Sequence, residues 1–217
     1  MLIDVTRSLF IGLGQNALIF VVTMILALPL GLCVTFGEMA KFAPLRYGMR
    51  TFVWMIRGTP LLLQLFVVLY APGLLFDLPF RNRILAALIA FVINYACYFA
   101  EIYRGAIENI PKGQFEAGQV LGLSRRQVFT HIILLQVIKR ITAPIGNEVI
   151  TLVKDTSLAR VIAVPEILMH ATEYTSRGLI WPLFYCGVFF LAATAIVTLC
   201  FGRLERRLTR AFGEEPM

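Results

Sequence analysis

Charge is absent from long tracts of this chain. Leu9–Phe36, Gly58–Phe76, Ile84–Ala100 and Trp181–Gly202 contain no Asp, Glu, Lys or Arg. Crossing the hydrocarbon core of a bilayer takes roughly 17–25 apolar residues in a helix. Each tract is long enough, and the second extends backwards through Thr51–Ile56. A fifth apolar stretch, Val137–Leu152, is interrupted by Lys139, Arg140 and Glu148. A helix carrying those charges against lipid is costly, so this one is expected to be enclosed by protein. The pattern predicts an all-α membrane protein, one transmembrane domain over residues 1–217. Its five helices are expected at about 9–36, 51–76, 84–103, 132–152 and 181–202. The first tract is longer than the apolar core of a signal peptide and lacks a basic segment before it, which predicts a retained helix.

Composition agrees with the pattern. The 217 residues are 59% hydrophobic and 15% charged, whereas soluble domains carry about 25% charged residues. The net charge of +7 has no basic, aromatic-interleaved face outside the apolar tracts, which argues against nucleic acid as a partner. With the N-terminus outside, the inner segments 38–50, 104–131 and 203–217 hold eleven Lys and Arg, and the outer ones hold six. That bias predicts an outside N-terminus and a cytoplasmic C-terminus, as an odd number of spans requires.

Several chemistries find no support. Cys33, Cys97, Cys186 and Cys200 each stand alone in an apolar run, as packed small hydrophobes rather than metal or redox pairs. His131 and His170 are far apart in sequence, and no metal site is expected. No G-x-x-x-x-G-K-[ST] loop occurs, so ATP is not expected to bind this chain by that route. Inverted repeats, the mark of many secondary transporters, are not evident.

Residues 111–131 read PKGQFEAGQVLGLSRRQVFTH. Pro111 opens a short helix; Ala117, Val120 and Leu121 share a face by i, i+3, i+4 spacing. Gly122 suits a left-handed helix end. Ser124 and Gln127 form a capping-box pattern that starts a second helix. Helix, glycine turn, helix is the expectation, and two uses stand open: a docking knob or an amphipathic interfacial helix.

Glu116-Ala117-Gly118, Gly122 and Ile132-Ile133-Leu134 resemble the "EAA" loop of binding-protein-dependent ABC importer permeases. Arg57-Gly58-Thr59-Pro60, Glu101-Ile102-Tyr103-Arg104-Gly105, Leu121-Gly122-Leu123-Ser124 and Lys154-Asp155-Thr156-Ser157-Leu158 are similar to phrases of the polar amino acid branch of that family. Two positions depart from the pattern. Gly118 replaces the usual second alanine, expected to loosen the helix by about 1 kcal/mol. Leu135 replaces a usual proline, which removes a kink or stop signal.

The resemblance implies the type I importer permease (MetI-like) fold in a bacterial cytoplasmic (inner) membrane. It implies a pair of permease chains, identical or homologous, with an amino acid route between them. A cytoplasmic ABC ATPase dimer would dock at Glu116, Ala117, Gly118 and Gly122. An extracytoplasmic solute-binding protein would deliver the substrate. The chain itself would catalyse nothing and hold no cofactor; ATP and Mg would sit in the ATPase. The alternative to an ATP-driven permease is an ATP-independent secondary transporter or channel subunit.

Polar residues within or beside the spans are candidates for the route: Asn94, Glu101, Arg104, Glu148, Lys154 and Asp155, with Asn147 nearby. A zwitterion suits a path of both signs. The competing role is mutual pairing that holds helices together. Glu101 and Arg104, at i, i+3, are placed to pair. Arg57 is a candidate cap or gate at the inner mouth, or a structural residue.

Overall fold

The computed structural model describes residues 2–212. Among them the chain forms α1 (Leu2–Glu38), α2 (Ala43–Arg57), α3 (Leu61–Phe76), α4 (Arg83–Glu108), α5 (Lys112–Val120), α6 (Arg125–Val128), α7 (Leu134–Asp155), α8 (Ile167–Thr175) and α9 (Trp181–Phe212). A π-helical turn, Phe129–Ile133, joins α6 to α7, and a 3₁₀ segment, Thr156–Ile162, follows α7. Four of these stretches are long and apolar enough to cross a membrane: α1, α4, Arg125–Ile162 and Trp181–Leu208. The expected inner segment 203–217 is described only to residue 212; its last five positions lie outside the described residues.

The second expected span is not one helix. α2 and α3 meet at a bend of 107° over Gly58-Thr59-Pro60. Pro60 has no N–H to continue the α2 ladder and disfavours helix at Thr59. The carbonyls freed at the bend are taken by a side chain further on. Gln64 Nε2 donates to Ile56 O at 2.8 Å and Thr59 O at 3.2 Å. Gln64 Oε1 in turn accepts from Asn94 Nδ2 on α4 at 3.0 Å. The apolar pattern ran through this bend because it reports polarity and not direction. The fourth span also differs: its helical run begins at Arg125 and absorbs the second helix of the expected hairpin. Leu135, where a proline would interrupt, lies inside it.

α1 packs most extensively along α4, with Ala86, Ala87, Ala90, Ala96 and Ala100 buried on α4. Small residues let helix backbones approach closely, a main source of packing energy where lipid offers no hydrophobic drive. Thr35 on α1 donates across that seam to Ala100 O at 3.1 Å. The seam runs parallel, so the C-terminal ends of α1 and α4 lie together.

At the opposite end, α8 is fastened to α1 by a buried polar knot. Asn16 Nδ2 donates to Thr156 Oγ1 at 3.0 Å and Glu166 Oε2 at 3.3 Å, and Asn16 Oδ1 accepts from Ile167 N at 3.0 Å. Glu166 caps α8, accepting from Leu168 N at 2.9 Å and Met169 N at 2.6 Å. Burial pushes its carboxyl above the ordinary range, against the pull of those backbone bonds and Asn16.

Candidate functional site

The 111–128 hairpin is specified by local chemistry almost residue by residue. α5 ends at Leu121, and Gly122 takes φ +75°. Gly122 N donates to Gln119 O at 2.9 Å and Leu123 N to Gly118 O at 3.0 Å, the pair of bonds that closes a helix through a left-handed residue. The capping box is complete: Ser124 Oγ accepts from Gln127 N at 3.3 Å, and Gln127 Oε1 accepts from Ser124 N at 2.9 Å.

Gly118 is more than a weak helix former. It is the buried residue of α5, and a Cβ there would stand 2.5 Å from Val128 Cγ2. Val128 is β-branched and buried, so it has little room to turn aside. The glycine is the contact by which α5 and α6 approach each other. The loosening expected from propensity is outweighed by a packing need that the departure from alanine satisfies.

The apolar face of α5 points outward. Val120 is 87% exposed and Leu121 76% exposed, with Ala117 and Glu116 also exposed. The base of the hairpin, by contrast, is firmly joined to two spans. Ala106 and Ile110 on the α4 side pack with Val128, Ile133 and Val137 on the α6–α7 side. Arg140 Nη1 donates to Asn109 O at 2.5 Å. The hairpin base is thereby tied to both α4 and α7.

The second group of candidates separates into distinct settings. Glu101 is held by two arginines: Arg104 Nη2 at 2.5 Å and Arg57 Nη1 at 3.7 Å. Arg104 also pairs with Glu108, and Arg50 reaches Glu108 at 3.4 Å. Arg57 lies over the Tyr98 ring, 5.2 Å from its centroid. This network joins α2 and α4 where α1 ends, and Arg50 Nε donates to Glu38 O at 3.3 Å. Glu38 is 1% exposed, within electrostatic range of Glu101, Arg104, Arg50 and Arg57. Sequence reading missed it. The available signal is a carboxylate two residues past an uncharged run, at the start of the expected inner segment 38–50.

Higher on α7, Asp155 Oδ2 accepts from Tyr95 Oη at 2.8 Å. Glu148 is half-buried, within electrostatic range of Arg57 and Asp155, and makes no hydrogen bond or ion pair among the described residues. Lys154 and Asn147 are exposed on the same helix. Asn94 is buried, its amide committed to the Gln64 brace. The fold therefore brings Arg57, Glu101, Glu148 and Asp155 to one side of α4 and α7, and leaves Asn94 in the packing.

Residues 27–210 match the family described as binding-protein-dependent transport system inner membrane component. The chain is 36% identical over 193 residues to a probable amino-acid ABC transporter permease of Bacillus subtilis, YckA, covering 84% of this chain and 83% of the relative. It is 38% identical over 161 residues to the glutamine transport system permease GlnP of Escherichia coli K12, covering 72% and 73%. Among solved structures, an amino acid ABC transporter crystallised with histidines aligns at a TM-score of 0.87 and 25% identity, over 95% of this chain and 96% of that one.

Proposed function

The chain belongs to the family of binding-protein-dependent transport system inner membrane components, and from that premise we propose how its parts serve an importer. It is a permease subunit of an amino acid ABC importer, a transport component and not an enzyme. ATPase and substrate-binding partners follow from that membership. The proposal concerns where they act. Two permease chains form the route. A cytoplasmic ABC ATPase dimer, which holds ATP and Mg, seats on the two hairpins. The solute-binding protein delivers from the side of the α8 knot. The N-terminus is outside and the C-terminus cytoplasmic, the orientation the charge bias favours.

One observation carries the reading: an exposed apolar tip, Val120-Leu121, on a hairpin bolted to two spans. Burying a Val and a Leu gives roughly 1.5–3 kcal/mol each, a contribution to holding a partner whose remaining affinity comes from the rest of the contact. The rigid base turns the partner's closure into movement of α4 and α7, a two-state switch biased by differential binding. Glu116 adds a charge at the rim of the contact, with Ala117 beside it. The amino acid passes along the side of α4 and α7 that bears Glu101, Arg104, Glu148, Lys154 and Asp155.

Reconstitution into proteoliposomes tests this. Uptake should require the ATPase, internal ATP and the binding protein, and Leu121→Asp should release the ATPase from detergent-purified complex. Uptake by the permease chains alone, or a Leu121→Asp variant that keeps its ATPase and its transport, overturns the proposal. Impermeant labelling of cysteines at positions 2 and 207 in intact cells fixes orientation, and labelling only at 207 reverses it.

A further inference from the structure

We propose that α2 is a membrane-surface helix, seated in the headgroup–acyl boundary of the leaflet on the hairpin's side, and that phospholipid rather than protein covers its outer face. At 15 residues α2 is about 22 Å long, short of the ~30 Å hydrocarbon core. Its 107° angle to the uncharged α3 turns it towards the membrane plane once α3 spans. Both flanking helices, α1 and α3, are membrane elements, so α2 has no path away from the bilayer surface.

The residue order around α2 supplies the occupant. One side is held by the protein: Val53 is buried, and it packs with Met49 and Ile56 against Val34, Cys97 and Ala100. The adjoining arc is exposed and carries no charge. It includes Leu45, Phe52 and Met55, the last 54% exposed. Tyr47 and Trp54, the latter 74% exposed, stand with Arg50 in an i, i+3, i+7 row along one edge of that arc. Arg46 lies beside them, its guanidinium over the Tyr47 ring at 5.2 Å.

Apolar arc, aromatic edge, basic edge is the order that a bilayer presents from acyl chain through interface to phosphate. A water-facing arc of this size and apolarity is rare on proteins. A protein partner does not require the aromatic border; Arg46 and Arg50 beyond it are bonded within the protein, to Ala40 O and to Glu38 O and Glu108, which fixes them on the headgroup side of that border.

The inference rests on the membrane reading but names the leaflet by the hairpin, so it survives a reversed orientation. The test uses the complete transporter in vesicles of phosphatidylethanolamine and phosphatidylglycerol. Cys33 and Cys200, the exposed native thiols, are replaced by serine. Nitroxide labels are placed one at a time at positions 49, 51, 52, 53 and 55, and only variants that retain uptake are scored. Labels at 51, 52 and 55 should relax several-fold more with oxygen than with a water-soluble nickel chelate, and labels at 49 and 53 should respond weakly to both. If 52 and 55 respond to neither reagent, a second permease chain or the ATPase covers the arc and the proposal fails. If they respond chiefly to nickel, the arc faces water and it also fails.

Discussion

The hairpin and the charge network stand next to each other at one end of α4, yet they are built in opposite ways. Every feature that shapes the hairpin lies within 18 residues, 111 to 128. The network draws Glu38 from α1, Arg50 and Arg57 from α2, and Glu101, Arg104 and Glu108 from α4. One is a local motif that leaves its apolar residues, Val120 and Leu121, exposed. The other is a tertiary motif that pairs Glu101 and Glu108 with Arg50, Arg57 and Arg104, and holds the buried Glu38 carboxylate in the field of the arginines without a hydrogen bond to its Oε2. A substitution in the first should therefore disturb coupling and spare assembly, whereas one in the second should disturb assembly itself.

The sharpest way to break that distinction is at Gly122. Its φ of +75° admits a β-branched side chain only with strain of about 1–3 kcal/mol, concentrated in a four-residue turn. Gly122→Val should abolish amino acid uptake while the permease still assembles and ATP hydrolysis continues uncoupled. ATPase assays and uptake on the same proteoliposomes measure both. Normal uptake with a normally bound ATPase removes the coupling role from this turn.

Gly118→Ala comes next. The added methyl meets Val128 Cγ2 at 2.5 Å, and overpacking of this kind costs typically 1–3 kcal/mol. Transport should fall severalfold, and Val128→Ala in the same chain should restore most of it. Without that rescue, the glycine is needed for something other than the α5–α6 contact.

Glu101→Gln probes the other region. It removes the shared partner of Arg57 and Arg104, whose side chains are 39% and 22% exposed. Because water reaches both, the loss should be about 1–2 kcal/mol, below the 3–5 of a fully buried pair. Complex yield and thermal stability should drop together, with uptake per assembled complex changed far less than by Gly122→Val.

The same contrast explains what sequence reading reached. The glycine turn and the capping box were legible because their partners lie three to five residues away, within the reach of local rules. The i, i+3 pairing of Glu101 with Arg104 was legible for the same reason. Glu38 was not, since nothing near it in sequence explains a buried carboxylate. The α2–α3 bend was hidden because apolarity continues across it, although Gly58-Thr59-Pro60 was in view. Asn94 illustrates the limit of composition: a polar residue in a span is a candidate for the route on sequence grounds, and only the fold shows Gln64 as its partner. The reason for Gly118 required Val128, ten residues away and across a turn.

The smallest effect on stability, and the most telling one, is expected at Glu148. It lies on the same side of the molecule as Glu101 but has no hydrogen bond or ion pair among the described residues, only the field of Arg57 and Asp155. If charges here serve solely to join helices, Glu148→Gln has nothing to break, and complex abundance, melting temperature and uptake should all stay near the parent values. If the side chain faces the passing amino acid, abundance should again be unchanged while uptake per complex falls, most for substrates with a cationic side chain. Lys154→Gln, on the exposed face of the same helix, should show the mirror preference, with anionic substrates losing most, because a desolvated ammonium is the natural partner of a carboxylate. Measuring both variants with cationic and anionic amino acids, at fixed binding-protein saturation, separates the cases. Opposite charge preferences in the two variants support a route along α7, and uptake per complex near the parent value for substrates of both charges removes Glu148 and Lys154 from it.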